Sequence, residues 1–246
     1  MLFEKKKKAS QIFKFKQFDI RQENCAMKIG TDGVLLGAWA AVSSSTTKVL
    51  DVGTGTGVIA IMLAQRTENA EIVGVEIDEL VCQEANDNMQ AAPWSDRLRS
   101  VLAPIQDFKK TTTERFDLIV SNPPFFTGGT LSINQDRTNV RHTVKLPTGE
   151  LLQAARELLT PEGRFCVILP LIEGLRFKEQ AAQYNLYCSK MTEVKAKAEK
   201  SVERLLLQFE PTEKTLEKDS LVIQKGGRHE YTDEYIALTK DFYLKM

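Results

Sequence analysis

The stretch Val49-Leu-Asp51-Val-Gly53-Thr-Gly55-Thr-Gly57-Val-Ile-Ala-Ile-Met-Leu63 restricts the fold more than any other part of the chain. An apolar strand pattern ends at Asp51, alternating glycines follow, and an apolar helical pattern begins at once. Glycine lets the backbone bend tightly and lets a ligand approach the main chain. The helix start adds N–H groups and a dipole that favour a carboxylate or phosphate. Strand, glycine turn and helix in this order predict a parallel sheet flanked by helices.

The spacing G-x-G-x-G, with an acid two positions before it, differs from the G-x-G-x-x-G of dinucleotide sites. In such a site Asp51 would meet the negative pyrophosphate. A ligand with a cationic amino-acid moiety suits Asp51, Gly53 and Gly55 better, and S-adenosylmethionine has one. The next strand, Ala70-Glu-Ile-Val-Gly-Val-Glu76-Ile-Asp78, ends in acids. Glu76 at a strand end suits the hydroxyls of a ribose, whichever nucleoside carries it. Asp78 reads as the N-cap of the following helix. Asp107 is expected in the loop after the third strand, accepting from an adenine amine, with Phe108 beside the ring; a plain surface loop is the competing reading.

Asn122-Pro123-Pro124-Phe125 directly follows the apolar run Phe116–Ser121. The Asn122 side-chain carbonyl and the Pro123 backbone carbonyl are both placed to accept from one exocyclic NH2. The prolines hold that backbone rigid, and Phe125 supplies a ring for the flat group bearing the amine. Asn-Pro is also ordinary turn punctuation. Its position downstream of the glycine turn favours alkylation of a planar amine.

Alternating strand and helix patterns run from Lys48 to Phe209. Strands are expected near 48–52, 71–76, 98–102, 116–121, 164–169, 187–194 and 204–209, and helices near 57–66, 79–91, 148–159 and 173–184. The polar stretch 195–203 is too short for a crossover helix, so the last two strands should form an antiparallel hairpin at the sheet edge. This is the α/β architecture of class I methyltransferases: a Rossmann-like, seven-stranded, mostly parallel sheet with helices on both faces, an analogy of fold alone.

A division into an N-terminal extension, 1–47, and a methyltransferase domain, 48–246, is expected. In the extension, Ile12-Phe-Lys-Phe-Lys-Gln-Phe18 alternates as a half-exposed strand, and Thr31-Asp32-Gly33 opens a buried helix over 34–41. Thr31 is expected to touch the cofactor while Leu35, Leu36 and Trp39 pack. Thr232 is a good N-cap for a short C-terminal helix. Lys+Arg and Asp+Glu both number 33, so overall charge does not point to a polyanion. Its distribution says more: Lys5–Lys8, Lys14 and Lys16, Arg137, Arg141, His142 and Lys145, Lys195, Lys197, Lys200 and Arg204, and Lys225, Arg228 and His229 form basic clusters. Several clusters around one site would make a discontinuous phosphate-binding surface. The scattered cysteines Cys25, Cys82, Cys166 and Cys188 fit neither a metal site nor a disulfide framework. The basic start lacks an apolar continuation and no apolar run would span a bilayer, so a cytoplasmic protein without metal is expected.

Together, Met27-Lys-Ile-Gly-Thr-Asp-Gly-Val-Leu-Leu-Gly-Ala-Trp39, the glycine turn, Asn122-Pro-Pro-Phe-Phe126 and Tyr231-Thr-Asp-Glu-Tyr-Ile-Ala-Leu-Thr-Lys-Asp-Phe-Tyr243 resemble the bacterial tRNA1(Val) adenine N6-methyltransferases. The resemblance implies methyl transfer from S-adenosylmethionine to N6 of adenine 37, immediately 3′ of the anticodon of one valine tRNA, by a monomer acting on the anticodon loop. It assigns the cofactor to Asp51, Gly53, Gly55, Glu76 and Asp107. An enzyme acting on adenine N6 in rRNA or DNA would use the same residues. A protein glutamine N5-methyltransferase would be expected to carry Tyr where this chain has Phe125, and 1–47 leaves no room for its helical substrate domain. A non-catalytic RNA-binding protein with a vestigial pocket is a rival of another class.

Overall fold

The computed structural model describes residues 11–124, 146–227 and 229–246. Phe125, Arg228, the Lys5–Lys8 run and the Arg137–Lys145 cluster lie outside the described residues. The elements in chain order are β1 (Ile12–Lys14), β2 (Asp19–Arg21), α1 (Thr31–Trp39), β3 (Lys48–Val52), α2 (Val58–Arg66), β4 (Glu71–Glu76), α3 (Glu79–Ala91), β5 (Leu98–Leu102), α4 (Ile105–Thr111), β6 (Phe116–Ser121), α5 (Thr148–Leu158), β7 (Leu159–Pro170), α6 (Leu171–Ala181), β8 (Tyr187–Lys197), β9 (Arg204–Glu210), β10 (Glu217–Gln224) and α7 (Asp233–Thr239). The large sheet has eight strands in the order β10-β8-β9-β7-β6-β3-β4-β5, and β1 pairs with β2 separately.

All neighbours in the large sheet are parallel except those of β9, which runs antiparallel to β7 and β8. The expected hairpin therefore exists, but it is not the edge. A further strand, β10, lies parallel to β8 outside it, with Val222 opposite Lys195 and Gln224 opposite Lys197. This corrects the seven-strand expectation. The first half of β10, Glu217-Lys-Asp-Ser220, is exposed and polar, and only Leu221 is buried. Such an edge strand lacks the alternation that reveals one in sequence.

One consequence positions the site. β3, β4, β5, β6, β7, β8 and β10 all end at the same edge, where β9 begins. Brändén's rule for open α/β sheets places ligands outside that carboxyl edge. One face of the sheet is covered by α1, α2 and α7 with the β1–β2 hairpin, around Ile20, Leu35, Leu36 and Met62. The other is covered by α4, α5 and α6, around Phe116, Phe165, Phe177 and Phe209. Burying the Leu, Ile and Phe side chains contributes about 1.5–3 kcal/mol each before entropy is counted. The four cysteines are free, and no described helix is long and apolar enough to cross a membrane.

Two local expectations change. The strand expected over 12–18 ends at Lys14, because Phe15–Phe18 turn back on a stacked aromatic pair with centroids 4.6 Å apart. The loop expected around Asp107 is the helix α4, with Pro104 in the N-cap position. The caps proposed for the other helices form: Asp78 accepts from the Val81 N–H and Thr232 from that of Tyr235.

Candidate active site

A cleft of about 540 Å³ opens at the carboxyl edge. Its near wall is the glycine turn, where Gly53, Gly55 and Gly57 have φ of 70°, 57° and 80°, values that a side chain would strain. Four N–H groups of this turn are taken by the protein itself. Gly53 and Thr54 donate to the Val75 carbonyl, Gly57 to that of Thr54, and Gly55 to the Glu76 carboxylate at 3.1 Å. A turn so occupied is not an anion cradle, which weighs against a pyrophosphate ligand. β4 runs close beneath it: a Cβ on Gly74 would come within 2.8 Å of the Thr54 side chain.

Asp51, at 0 % exposure, lies behind the turn and is absent from the cleft wall. Thr54 Oγ1 donates to its Oδ2 at 2.7 Å, while Oδ1 is buried with no hydrogen-bond partner of good geometry among the described residues; the Ala60 N–H is the other group that draws on the carboxylate. Burial pushes the carboxyl up to about 7, against the pull of the Thr54 hydroxyl. A desolvated carboxylate with an orphaned oxygen favours a cation nearby. Gly53 and Thr54 stand between Asp51 and the cleft.

Glu76 is held by Gly55 N–H on one oxygen and by the Ile77 and Asp78 N–H groups on the other, at 2.9 and 3.2 Å. Ile77, Leu80 and Leu102 are exposed apolar residues around it, Leu102 opposite Glu76 in the β4–β5 register. Like Glu76 itself, none of the three lines the cleft. Phe108 itself is 5 % exposed and packs against Phe116, with centroids 6.4 Å apart. The helical twist of α4 turns it into the core. Asp107 is outside the cleft wall and pairs with Lys110 at 2.8 Å, an exposed i,i+3 pair worth little. Neither residue joins the cleft.

The far side of the glycine turn is closed by Cys25–Ile29 and the start of α1, with Thr31 and Asp32 both on the cleft wall as expected. Two polar side chains one turn apart on α3 dock this strap. The Glu84 carboxylate accepts the N–H groups of Glu23, Asn24 and Cys25 at 2.6, 2.8 and 3.2 Å. Asn88 accepts from Arg21 N–H and donates to the carbonyls of Arg21 and Thr56, joining strap and glycine turn. Both read from sequence as exposed helix positions, since nothing local announces a loop that packs on them. At the other end of α1, Trp39 Nε1 donates to Thr192 Oγ1 at 2.8 Å and Arg66 caps the Gly37 and Ala40 carbonyls.

Asn122 reaches the cleft wall from the end of β6. Among the described residues its Oδ1 is buried without a hydrogen-bond partner, an arrangement that costs about 1–3 kcal/mol unless a ligand donor satisfies it. Ser121 anchors the strand end by donating to the Val52 carbonyl at 2.8 Å. Pro123 is buried and Pro124 exposed, and Phe125 lies outside the described residues. Among the described residues no group of His, Cys, Asp and Glu has the spacing to hold a metal ion.

An acceptor with no donor, on a cleft beside a glycine turn, fits a site for a planar amine, and the comparisons agree. The methyltransferase small domain family matches residues 30–178. The tRNA1(Val) (adenine(37)-N6)-methyltransferase of Flavobacterium psychrophilum is 44 % identical over 96 % of this chain and 100 % of its own. That of Mannheimia succiniciproducens is 42 % identical over 98 % of both chains. The chain belongs to the tRNA1(Val) (adenine(37)-N6)-methyltransferase family. In fold, this family member resembles a predicted O-methyltransferase from Agrobacterium tumefaciens, with a TM-score of 0.69 at 16 % identity over 86 % of this chain and 96 % of that one. Its α/β sheet is thus that of class I methyltransferases.

Proposed function

We propose that this enzyme methylates N6 of adenine 37 in tRNA1(Val), using S-adenosylmethionine. The observation that carries the reading is the buried, unsatisfied Oδ1 of Asn122 on a cleft shared with the glycine turn. The residues present fit the cofactor. Glycines of positive φ open the near wall, Glu76 stands at the strand end for a ribose, Ile77 and Leu102 offer apolar surface, and Asp51 supplies negative charge behind the turn. When bound, the cofactor supplies an electrophilic methyl carbon on a sulfonium.

Asn122 accepts one N–H of the adenine amine through Oδ1, and the Pro123 carbonyl accepts the other. These bonds draw the nitrogen lone pair out of conjugation and hold it toward the cofactor side of the cleft. Such positioning is the main contribution expected of the protein. Phe125 stacks on the extruded base, which a single-stranded anticodon loop exposes cheaply. The strap and the start of α1, with Thr31, form the wall on the amino-acid side. Residues 1–47 thus act as an extension to the domain 48–246, and the enzyme works as a cytoplasmic monomer. The test is transfer of labelled methyl into total RNA from a strain lacking the gene, followed by mapping. Label at adenine 37 of one valine tRNA is expected; label in rRNA, DNA or protein overturns the reading.

A further inference from the structure

The half of the cleft away from the glycine turn is built by the strand ends that the sequence least revealed. Val194 and Ala196 of β8, Arg204 of β9, and Ile223 and Gln224 of β10 line it, facing Asn122 across the opening. Arg204 Nε pairs with Asp32 Oδ2 at 2.9 Å, tying β9 to α1 over this chamber. Val194, Ala196 and Ile223 give an apolar surface, and the Gln224 amide carries both donor and acceptor. Glu203 lines the cleft beside them, and with the Arg204–Asp32 pair engaged the remaining apolar and amide surface suits a nucleobase.

Charge at the rim fits the same occupant. Alternation along β8 turns Val194 and Ala196 into the cleft and sends Lys195 and Lys197 to the opposite face of the same strand end. Lys200 follows in the turn to β9, where Lys200 N–H donates to the Lys197 carbonyl. None of these lysines forms an ion pair among the described residues. Glu199 and Glu203 share the turn, so over 195–204 the cations, Lys195, Lys197, Lys200 and Arg204, outnumber the acids four to two. The register that sets Gln224 beside Lys197 brings β10 to this corner. Lys225 next to it is engaged with Asp233 at 2.9 Å.

We infer that the β8–β10 corner is the surface on which the RNA loop lies. Lys200 in the turn, with Lys195 and Lys197 on the far face of the same strand end, neutralises backbone phosphates of the loop as it passes round that end, and Ile223 and Gln224 wall the chamber that receives the base. This rests on the methyltransferase reading and selects one basic cluster from those among the described residues.

The test compares wild type, the triple variant Lys195→Ala/Lys197→Ala/Lys200→Ala, and Gln224→Ala. A control removes Arg156, Lys178 and Lys218, which topology places at the opposite edge of the sheet. Binding of a synthetic valine anticodon stem–loop is measured across a salt series, and S-adenosylmethionine binding by calorimetry. The triple variant is expected to lose about tenfold or more in RNA affinity, with the salt slope falling by about 0.7 for each lost contact to single-stranded phosphate. Gln224→Ala should lower turnover with cofactor affinity unchanged, and the control should match wild type. Equal RNA affinity and salt slope in triple variant and wild type, or an equal loss in the control, overturns the inference. A wild-type protein that binds this RNA and responds to the triple variant, yet transfers no methyl, contradicts the functional reading and spares the docking surface. A wild-type protein that binds no RNA overturns both.

Discussion

Asp51 and Asn122 share a physical condition: each holds a buried oxygen without a hydrogen-bond partner of good geometry among the described residues, although the Ala60 N–H also draws on the Asp51 carboxylate. For Asp51 the consequence is pH dependence. Its carboxyl, pushed up to about 7 by burial, binds a proton more tightly in the folded than in the unfolded chain. Its contribution to folding is therefore fully present below the unfolded value of about 3.9 and is lost as pH rises to about 7, a change on the order of a few kcal/mol. The charge that attracts a cation appears over the upper part of that window. Affinity for S-adenosylmethionine should rise about three- to tenfold between pH 6 and 7.5, and Asp51→Asn should flatten the rise while raising the melting temperature of the free protein at pH 7.5. Calorimetry and thermal melts read both. A pH profile shared by Asp51→Asn and wild type would remove Asp51 from cofactor binding.

Among the elements, the docking of the strap on α3 is the most exposed to a single change. Glu84→Ala leaves three adjacent backbone N–H groups without their acceptor, a loss of about 1–3 kcal/mol. Because the strap walls the cleft, KM for S-adenosylmethionine should rise by more than kcat falls; Glu84→Gln, which keeps an acceptor, should recover part of it. A proportionate fall in kcat with KM unchanged would confine Glu84 to stability. The same element shows where sequence reading reaches and stops. Strands at 48–52, 71–76 and 116–121 are legible because both faces are largely buried and their apolar runs are nearly continuous, whereas 98–102, Leu-Arg-Ser-Val-Leu, is an edge strand that follows from the strand–helix alternation around it. β10 was not, its exposed half being polar. Phe108 was misplaced because Asp-Phe-Lys-Lys gives no periodicity, so a helix that buries one ring in four residues passes for a loop. Asn122, Thr31 and the glycine turn were legible from local chemistry; Glu84, Asn88 and Gln224 depend on which distant segment packs against them.

Across the whole molecule, the segment after β1 and helix α2 close on the last residues of the chain. The Lys16 N–H donates to the Phe242 carbonyl at 2.8 Å, Phe15 bridges to Tyr243, and Gln65 reaches the Asp241 carbonyl from α2. Tyr235 and Phe242 are nearly fully buried, so α7 completes the core beneath the β1–β2 hairpin that leads into the strap. Deleting residues 232–246 removes both rings and uncovers the stacked Phe15 and Phe18, and should lower the melting temperature by roughly 10 °C or more. Cofactor affinity should fall with it, because the strap loses its support. A truncated chain that melts as wild type would show that the C-terminal helix is not part of the core.

Everything at these scales converges on one acceptor at the end of β6. Single-turnover transfer to valine tRNA by Asn122→Ala, with S-adenosylmethionine affinity measured on the same preparation, tests it most directly. Transfer should fall by about 10²-fold or more while the affinity stays within about twofold of wild type, since the glycine turn, Glu76 and Asp51 are untouched. Near-normal transfer would contradict the account.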